Sequence, residues 1–190
     1  MNISLKKLEE ESDLIYVRAL IIRSTEQGHF LFNSTKALDA MIGFAAIGAY
    51  SLPDEDGLIR YNPNGKLVKA ELFLIFANDQ RAGFALIVGS NEFEGITNSG
   101  VSDFGERAEI LMIVIDQKYK NQGIGKQVVS YLISYLSDKG VTTVRARAKL
   151  KSTVMVKILD GIGFTLVNET SAGTKHYELV CATEMVPVAS

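Results

Sequence analysis

Cysteine is nearly absent from this chain: Cys181 is the single thiol among 190 residues. One thiol closes no internal disulfide and builds no cysteine-based zinc site. It suits a reducing compartment. Histidine is as scarce, and His29 and His176 stand too far apart in sequence to argue for a metal site. No sign of charge dominates: the formal net charge is −2, so electrostatics give no push toward nucleic acid. Long apolar runs are missing too. The longest tract, AMIGFAAIGAY at residues 40–50, falls well short of the ~20 residues that span a bilayer. The opening MNISLKKLEEESD carries no signal-peptide core, because its apolar residues are isolated and acids follow. Internal repeats and low-complexity segments are absent. The expectation is a soluble cytoplasmic protein with no membrane and no nucleic-acid partner; a homodimer stays open.

What is present is ordinary globular material, 47% hydrophobic and 22% charged, enough for one domain with a proper core. ISLKKL (3–8) reads as a short strand. SDLIYVRALIIRS reads as a helix with Leu14, Val17 and Ile21 on one face. NSTKALDAMIGFAAIG predicts a second helix, capped by Ser34 or Thr35, striped by Leu38, Met41, Ile42 and Ala45, and ended by Gly48. SLPDEDGLIRYNPNG holds two of the three prolines and is loop; its acids Asp54, Glu55 and Asp56 read as solvated, or as a lure for a cationic amine. KAELFLIFAN and RAGFALIVGS, parted by Asp79 and Gln80, predict a hairpin. Residues 91–105 form a long polar loop.

The second half alternates. AEILMIVID is an almost continuous apolar run, as in a strand buried on both faces. A helix follows from Gly123 to about Asp138, striped by Ile124, Val128, Leu132 and Tyr135, with Gly140 placed to cap it. VTTVRARAK sets Val144, Ala146 and Ala148 against Arg145, Arg147 and Lys149, a strand with one covered face. The basic residues read as a solvated face, with contact to an acidic ligand as the other option. Ser152 opens a short helix striped by Met155, Ile158, Leu159 and Ile162, and GFTLVNET with KHYELVCA predicts a last hairpin. Strand–helix–strand–helix–strand after hairpins is a mixed α/β layout with a right-handed crossover.

YKNQGIGKQ, residues 119–127, lies between that apolar strand and its helix. Gly123 and Gly125 let the backbone turn sharply and remove Cβ atoms, so successive N–H groups can face outward at a helix start, where the macrodipole adds positive potential. Phosphate is the natural guest, and Lys120 and Lys126 flank the turn. A plain tight connection explains the glycines equally well. A P-loop would need Gly at 120 and Ser or Thr at 127, where Lys120 and Gln127 stand. A dinucleotide fingerprint would need a small residue at Val128 and an acid after the next strand, and has neither.

A third pattern fits. Lys120-Asn-Gln-Gly123-Ile-Gly125 resembles the acyl-CoA loop of the Gcn5-related N-acetyltransferase (GNAT) family, R/Q-x-x-G-x-G/A, with Lys120 in place of Arg or Gln. Lysine keeps the charge and loses the guanidinium fork. AEILMIVIDQKYKNQGIGKQVVSYLISYL looks like the family's central strand, loop and helix. KSTVMVKILDGIGF looks like its next helix, ending in Gly163-Phe164. The resemblance covers roughly residues 108–180; the first half matches only in the order of its elements.

The resemblance implies a fold and a reaction. The fold is a mixed, mostly antiparallel sheet of about six to seven strands with a splayed central pair, flanked by about four helices. Residues 1–190 would form one acyltransferase domain, with 1–65 as a helical acceptor-side region and 66–190 as a sheet core holding the cofactor. The reaction is transfer of an acetyl group from acetyl-CoA, without metal, to a primary amine on a small molecule, peptide or protein, by direct attack in a ternary complex. By family analogy, backbone groups of Ile113, Val114 and Ile115 hold the pantetheine arm. The amides of Asn121, Gln122, Gly123, Ile124, Gly125 and Lys126 meet the pyrophosphate, with Lys120 as a further cofactor-binding residue at the head of the loop. Ser152 stands where the family often has an Asn touching the arm; a plain helix cap is the alternative.

A thioester is already activated, so the chemistry asks for a neutral amine, a polarised carbonyl and a proton for the thiolate. Glu109 stands where the histone-acetylating branch carries its general base; a solvated strand-end carboxylate is the alternative, and Glu106 and Asp103 are weaker candidates. The Tyr that many members use as general acid falls on Leu159, and Tyr177 reads as a packing residue. That gap leaves a second class open: a catalytically inactive coenzyme-A-binding or protein-interaction module of the same fold.

Overall fold

The fold, taken from a computed structural model, is described for residues 1–29, 35–51, 67–92, 104–171 and 173–181, the side chains of 51, 91 and 92 excepted. The elements in chain order are β1 (Ile3–Lys7), α1 (Glu11–Glu26), α2 (Thr35–Ala46), β2 (Ala49–Ser51), β3 (Leu67–Ala77), β4 (Gln80–Glu92), β5 (Arg107–Ile115), α3 (Ile124–Asp138), β6 (Thr143–Lys149), α4 (Thr153–Ile162), β7 (Thr165–Glu169) and β8 (Thr174–Val180). A 3₁₀ turn, Gln117–Tyr119, joins β5 to the α3 entry. Most of the proline-bearing loop, the 93–103 stretch with Asp103, and Ser34 lie outside the described residues.

The strands make one sheet in the order β1-β3-β4-β5-β6-β8-β7, with short β2 also on β3. β5 and β6 are the parallel pair, α3 being their crossover; the other described pairs are antiparallel. This is the mixed, mostly antiparallel sheet with four α-helices expected from the sequence. The β3–β4 hairpin turns one residue earlier than its sequence suggested. Asn78 and Asp79 take φ of 49° and 62°, and Gln80 is already strand. Two consecutive left-handed residues form the turn that matches strand twist, and Asn and Asp tolerate it best among residues with a Cβ.

Two apolar layers sandwich the sheet. α3 and α4 cover one face, where Val128, Leu132, Leu136 and Leu159 are fully buried with Ala108, Ile110 and Ala146. α1 and α2 cover the other, where Val17, Ile21, Leu38 and Met41 pack on Leu74, Phe84, Met112 and Val114. Each fully buried Leu contributes about 2 kcal/mol of transfer free energy. α1 is fastened at its start by Asp13, buried at 4% exposure. Its Oδ2 accepts the backbone N–H groups of Glu9 and Glu10 at 3.1 and 3.2 Å, and its Oδ1 accepts from Arg81 of β4 at 2.5 Å. These bonds satisfy amide groups that a helix start leaves unpaired and tie α1 to the sheet.

One irregularity shapes everything downstream. Leu86 pairs with Met112 and Ile87 with Ile110, so Leu111 is an extra residue on β5. Such a bulge bends its strand and flips the alternation. Ala108 and Ile110 face α3 and α4, Leu111 and Met112 both turn to the α1–α2 side, and Ile113 returns to the first side. The β5–β6 ladder runs from Arg107–Thr143 to Ile110–Ala146 and stops there, at the residue before the bulge. Beyond it the two strands part.

Candidate acyl-donor cleft

The parted strands open a cavity of about 460 Å³, within the roughly 300–1,000 Å³ usual for small-molecule sites. Its walls are the free half of β5, the end of β6, the start of α3 and the first turns of α4. The antiparallel alternation fixes which backbone groups face it. Asp116 donates its N–H to the Ala82 carbonyl at 2.8 Å, and Ile115 stands opposite Gly83. That parity turns the polar groups of Ile113 and Ile115 toward β6, whose pairing has ended. Val114 lines the cavity, but its backbone polar groups belong to β4. The expected trio of cleft-facing backbone groups is therefore Ile113 and Ile115, with Val114 as wall.

The glycine turn closes the end of the cavity. Asn121 and Gly123 both take left-handed backbone, φ 63° and 76°, and Gly123 is the N-cap of α3. Gln127 donates to the Gly123 carbonyl at 3.4 Å, which leaves the amides just before it outside the helical ladder. A Cβ on Gly125 would meet Ile158 Cδ1 at 3.2 Å, so that glycine also lets α3 and α4 approach. Lys120, Asn121, Gly123, Ile124, Gly125 and Ser152 line the cavity; Gln122 and Lys126 do not. Gln122 turns away to donate to the Lys118 carbonyl at 3.1 Å, and Lys126 is exposed.

Ser152 is the N-cap of α4, yet its side chain makes no capping bond. Its hydroxyl meets His29 Nδ1 at 3.2 Å instead. His29 follows α1 and lines the cavity with Ser24 and Lys151, while Gln27 Oε1 accepts from Lys120 Nζ at 3.4 Å. The segment after α1 thus reaches the starts of both α3 and α4. Burial lowers the His29 pKa, and the charges of Lys120 and Lys151 lower it further, so the ring is neutral at pH 7. No spacing could have found this residue, because 123 positions separate it from Ser152.

Glu109 sits just before the bulge on the α1–α2 face, opposite Val88. It is not a solvated carboxylate: Arg147 Nε donates to its Oε1, and both side chains are 18% exposed. Arg145 pairs with Glu178 at 2.6 Å. The two arginines of the basic strip read as a solvated face are therefore neutralised, because β6 has strands on both sides that bring acids against them. Leu159 is fully buried and lines the cavity where a hydroxyl was sought. Tyr177 is buried among the α3–α4 core, a packing residue as expected. Among the described residues no group of His, Cys, Asp and Glu could hold a metal ion. No described helix is long and apolar enough to cross a membrane.

A parallel strand pair that parts beside a glycine-built helix start, inside an otherwise antiparallel sheet, defines an acyl-CoA-type transferase fold. Sequence places the chain within that class: it belongs to the acetyltransferase (GNAT) family, whose sequence profile matches residues 48–157. Solved structures agree on the fold. The structure of yncA from Salmonella typhimurium with its cofactor acetyl-CoA superposes with a TM-score of 0.64 at 12% identity, covering 99% of each chain. An acetyl transferase from Salmonella typhimurium that modifies the N-terminal serine of ribosomal protein L7/L12 gives 0.61 at 14%, over 94% of this chain and 95% of that one. The ribosomal-protein-S18-alanine N-acetyltransferase of Escherichia coli gives 0.55 at 18%, over 97% and 99%. No curated protein matches by sequence.

Proposed function

We propose that the protein is a single-domain N-acetyltransferase that moves an acetyl group from acetyl-CoA to a primary amine in a ternary complex. The observation that carries this reading is the β5–β6 opening, with Ile113 and Ile115 backbone groups turned into it and the Gly123–Gly125 amides at its end. An extended amide-bearing arm suits the first, and a diphosphate suits the second. The 460 Å³ cavity is of a size for the arm and acyl end. One of the similar proteins modifies the N-terminal serine of ribosomal protein L7/L12 and another is a ribosomal-protein-S18-alanine N-acetyltransferase, so a primary amine is the acceptor class favoured here.

When bound, acetyl-CoA supplies an activated thioester, so a neutral amine nitrogen forms the new C–N bond, the C–S bond breaks, and no nucleophilic side chain is required. Glu109 takes the proton from the incoming ammonium, directly or across one water. A cleft-facing amide of β5 polarises the acyl carbonyl; of the two, Ile113 lies nearer Glu109. His29 and Ser152 are a polar pair on the cleft wall beside Lys120 and Lys151, and solvent returns the proton to the departing thiolate.

The test is thiol release from acetyl-CoA across a panel of primary amines. The expected result is turnover with at least one amine, and a fall of about 10²–10⁴-fold in Glu109→Gln with acetyl-CoA affinity kept within about twofold. Leu159 in place of a hydroxyl favours a second reading, a coenzyme-A-binding module without turnover. Tight acetyl-CoA binding with no thiol release on the whole panel would establish it.

A further inference from the structure

Four buried side-chain atoms lack a hydrogen-bond partner among the described residues; two of them, Tyr50 Oη and His176 Nε2, lie by one ion pair, and a third, Thr174 Oγ1, lies one step further along the same ladder face. The register places them. Arg147 stands opposite His176 and Lys149 opposite Thr174, and opposite residues in a ladder share a face. That is the face of Glu109. Tyr50, 1% exposed, comes from β2 and lies within electrostatic range of both Arg147 and Glu109. His176 lies within range of the same two charges and of Arg145, which Glu178 neutralises. Thr174 and Arg147 also line the cleft, so the cluster adjoins the acyl-donor cavity from the acceptor side.

Buried polar atoms in folded proteins are nearly always satisfied, and an orphan costs about 1–3 kcal/mol. Orphans gathered on one face by a shared pair point to a polar partner still to come rather than to finished packing. Its chemistry can be read from the charges. Glu109 and Arg147 cancel, burial keeps the His176 ring neutral, and the two hydroxyls are neutral. An ammonium alone could take the second oxygen of Glu109, since Arg147 holds only Oε1, but it leaves the Arg147 fork and the orphaned donors without a new acceptor. A guest carrying its own carboxylate beside the amine engages them as well. Its ammonium takes Glu109 and its carboxylate takes Arg147, whose planar fork suits it. Tyr50, Thr174 and His176 then have oxygens to donate to.

We propose that the acceptor is a free amino acid, recognised as a zwitterion between Glu109 and Arg147. This rests on the acetyltransferase reading, and names its substrate class. Lys149, on the same face one pair further along, adds positive potential on the carboxylate side.

The test is binding, so it does not require turnover. Thermal shift and calorimetry on the full chain saturated with coenzyme A would compare each of the twenty amino acids with its carboxamide and its decarboxylated amine. The expected result is at least one amino acid that binds about 100-fold tighter than its amine and its carboxamide. Equal affinity for the three forms, or no binding by any amino acid, overturns the proposal. Tyr50→Phe and Thr174→Val supply the second measurement. Each removes an unsatisfied hydroxyl, so the free protein should melt no lower than wild type while amino-acid affinity falls several-fold. Lower melting with unchanged affinity would mark those hydroxyls as structural and sink the assignment. Failure of acetyl-CoA itself to bind would instead refute the acetyltransferase reading.

Discussion

A Cβ on Gly83 would stand 2.1 Å from the carbonyl oxygen of Val114. β4 and β5 therefore meet where only a glycine fits, and they do so beside Ile115, one of the two residues that turn polar groups into the cleft. Gly83 is not in a left-handed conformation, so its requirement is space alone. Gly83→Ala must push β5 toward the open side. The expected cost is about 1–3 kcal/mol in urea unfolding, together with weaker acetyl-CoA binding in calorimetry. Wild-type affinity in a folded Gly83→Ala protein would show that the position of β5 does not set the arm site.

Gly123 presents the opposite case. A side chain there meets nothing within 4 Å, but φ is 76°. Gly123→Ala should then cost only about 1–2 kcal/mol, the left-handed penalty of a Cβ. On the proposed function, coenzyme A affinity should fall by more than about tenfold, because strain relaxes by rotating the amides assigned to the diphosphate. Comparing urea midpoints with calorimetric affinity separates the two effects.

Asp13 predicts a pH dependence of stability. Burial alone would raise its pKa; the Glu9 and Glu10 amides and Arg81 outweigh burial and hold it below the usual carboxylate value. A depressed carboxylate contributes stability that is complete above the unfolded pKa of about 3.9 and is lost as pH falls through the folded one. Asp13→Asn should lower the unfolding free energy by about 1–3 kcal/mol at pH 7. The gap from wild type should close as pH approaches 2, read from urea unfolding across that range.

His29 should report ligand charge. Its pKa is lowered first by burial, then by Lys120 and Lys151. The ring is thus neutral where an unfolded His is half protonated, and stability falls as pH drops through about 6.5 toward the folded pKa. A diphosphate beside the same lysines reverses the local field. Coenzyme A binding near pH 6 should take up a fraction of a proton, seen as a buffer-dependent calorimetric enthalpy. His29→Gln should remove that dependence.

Apart from the short β2, the sequence by itself determined the element order, the βαβ crossover and the glycine turn, because these depend on local periodicity, on helix starts and on residues that tolerate left-handed backbone. The run AEILMIVID was legible as a buried strand, and residues 119–127 as a sharp glycine turn into a helix. The tertiary structure alone decided the rest. The bulge at Leu111 has no mark in an unbroken apolar run, since every residue there is apolar whichever face it takes; the partner register of β4 creates it, and with it the strand opening. Arg147 came to neutralise Glu109, and His29 to reach Ser152, through contacts between positions 38 and 123 apart. Such pairs carry no periodic signal, because nothing but packing brings them together.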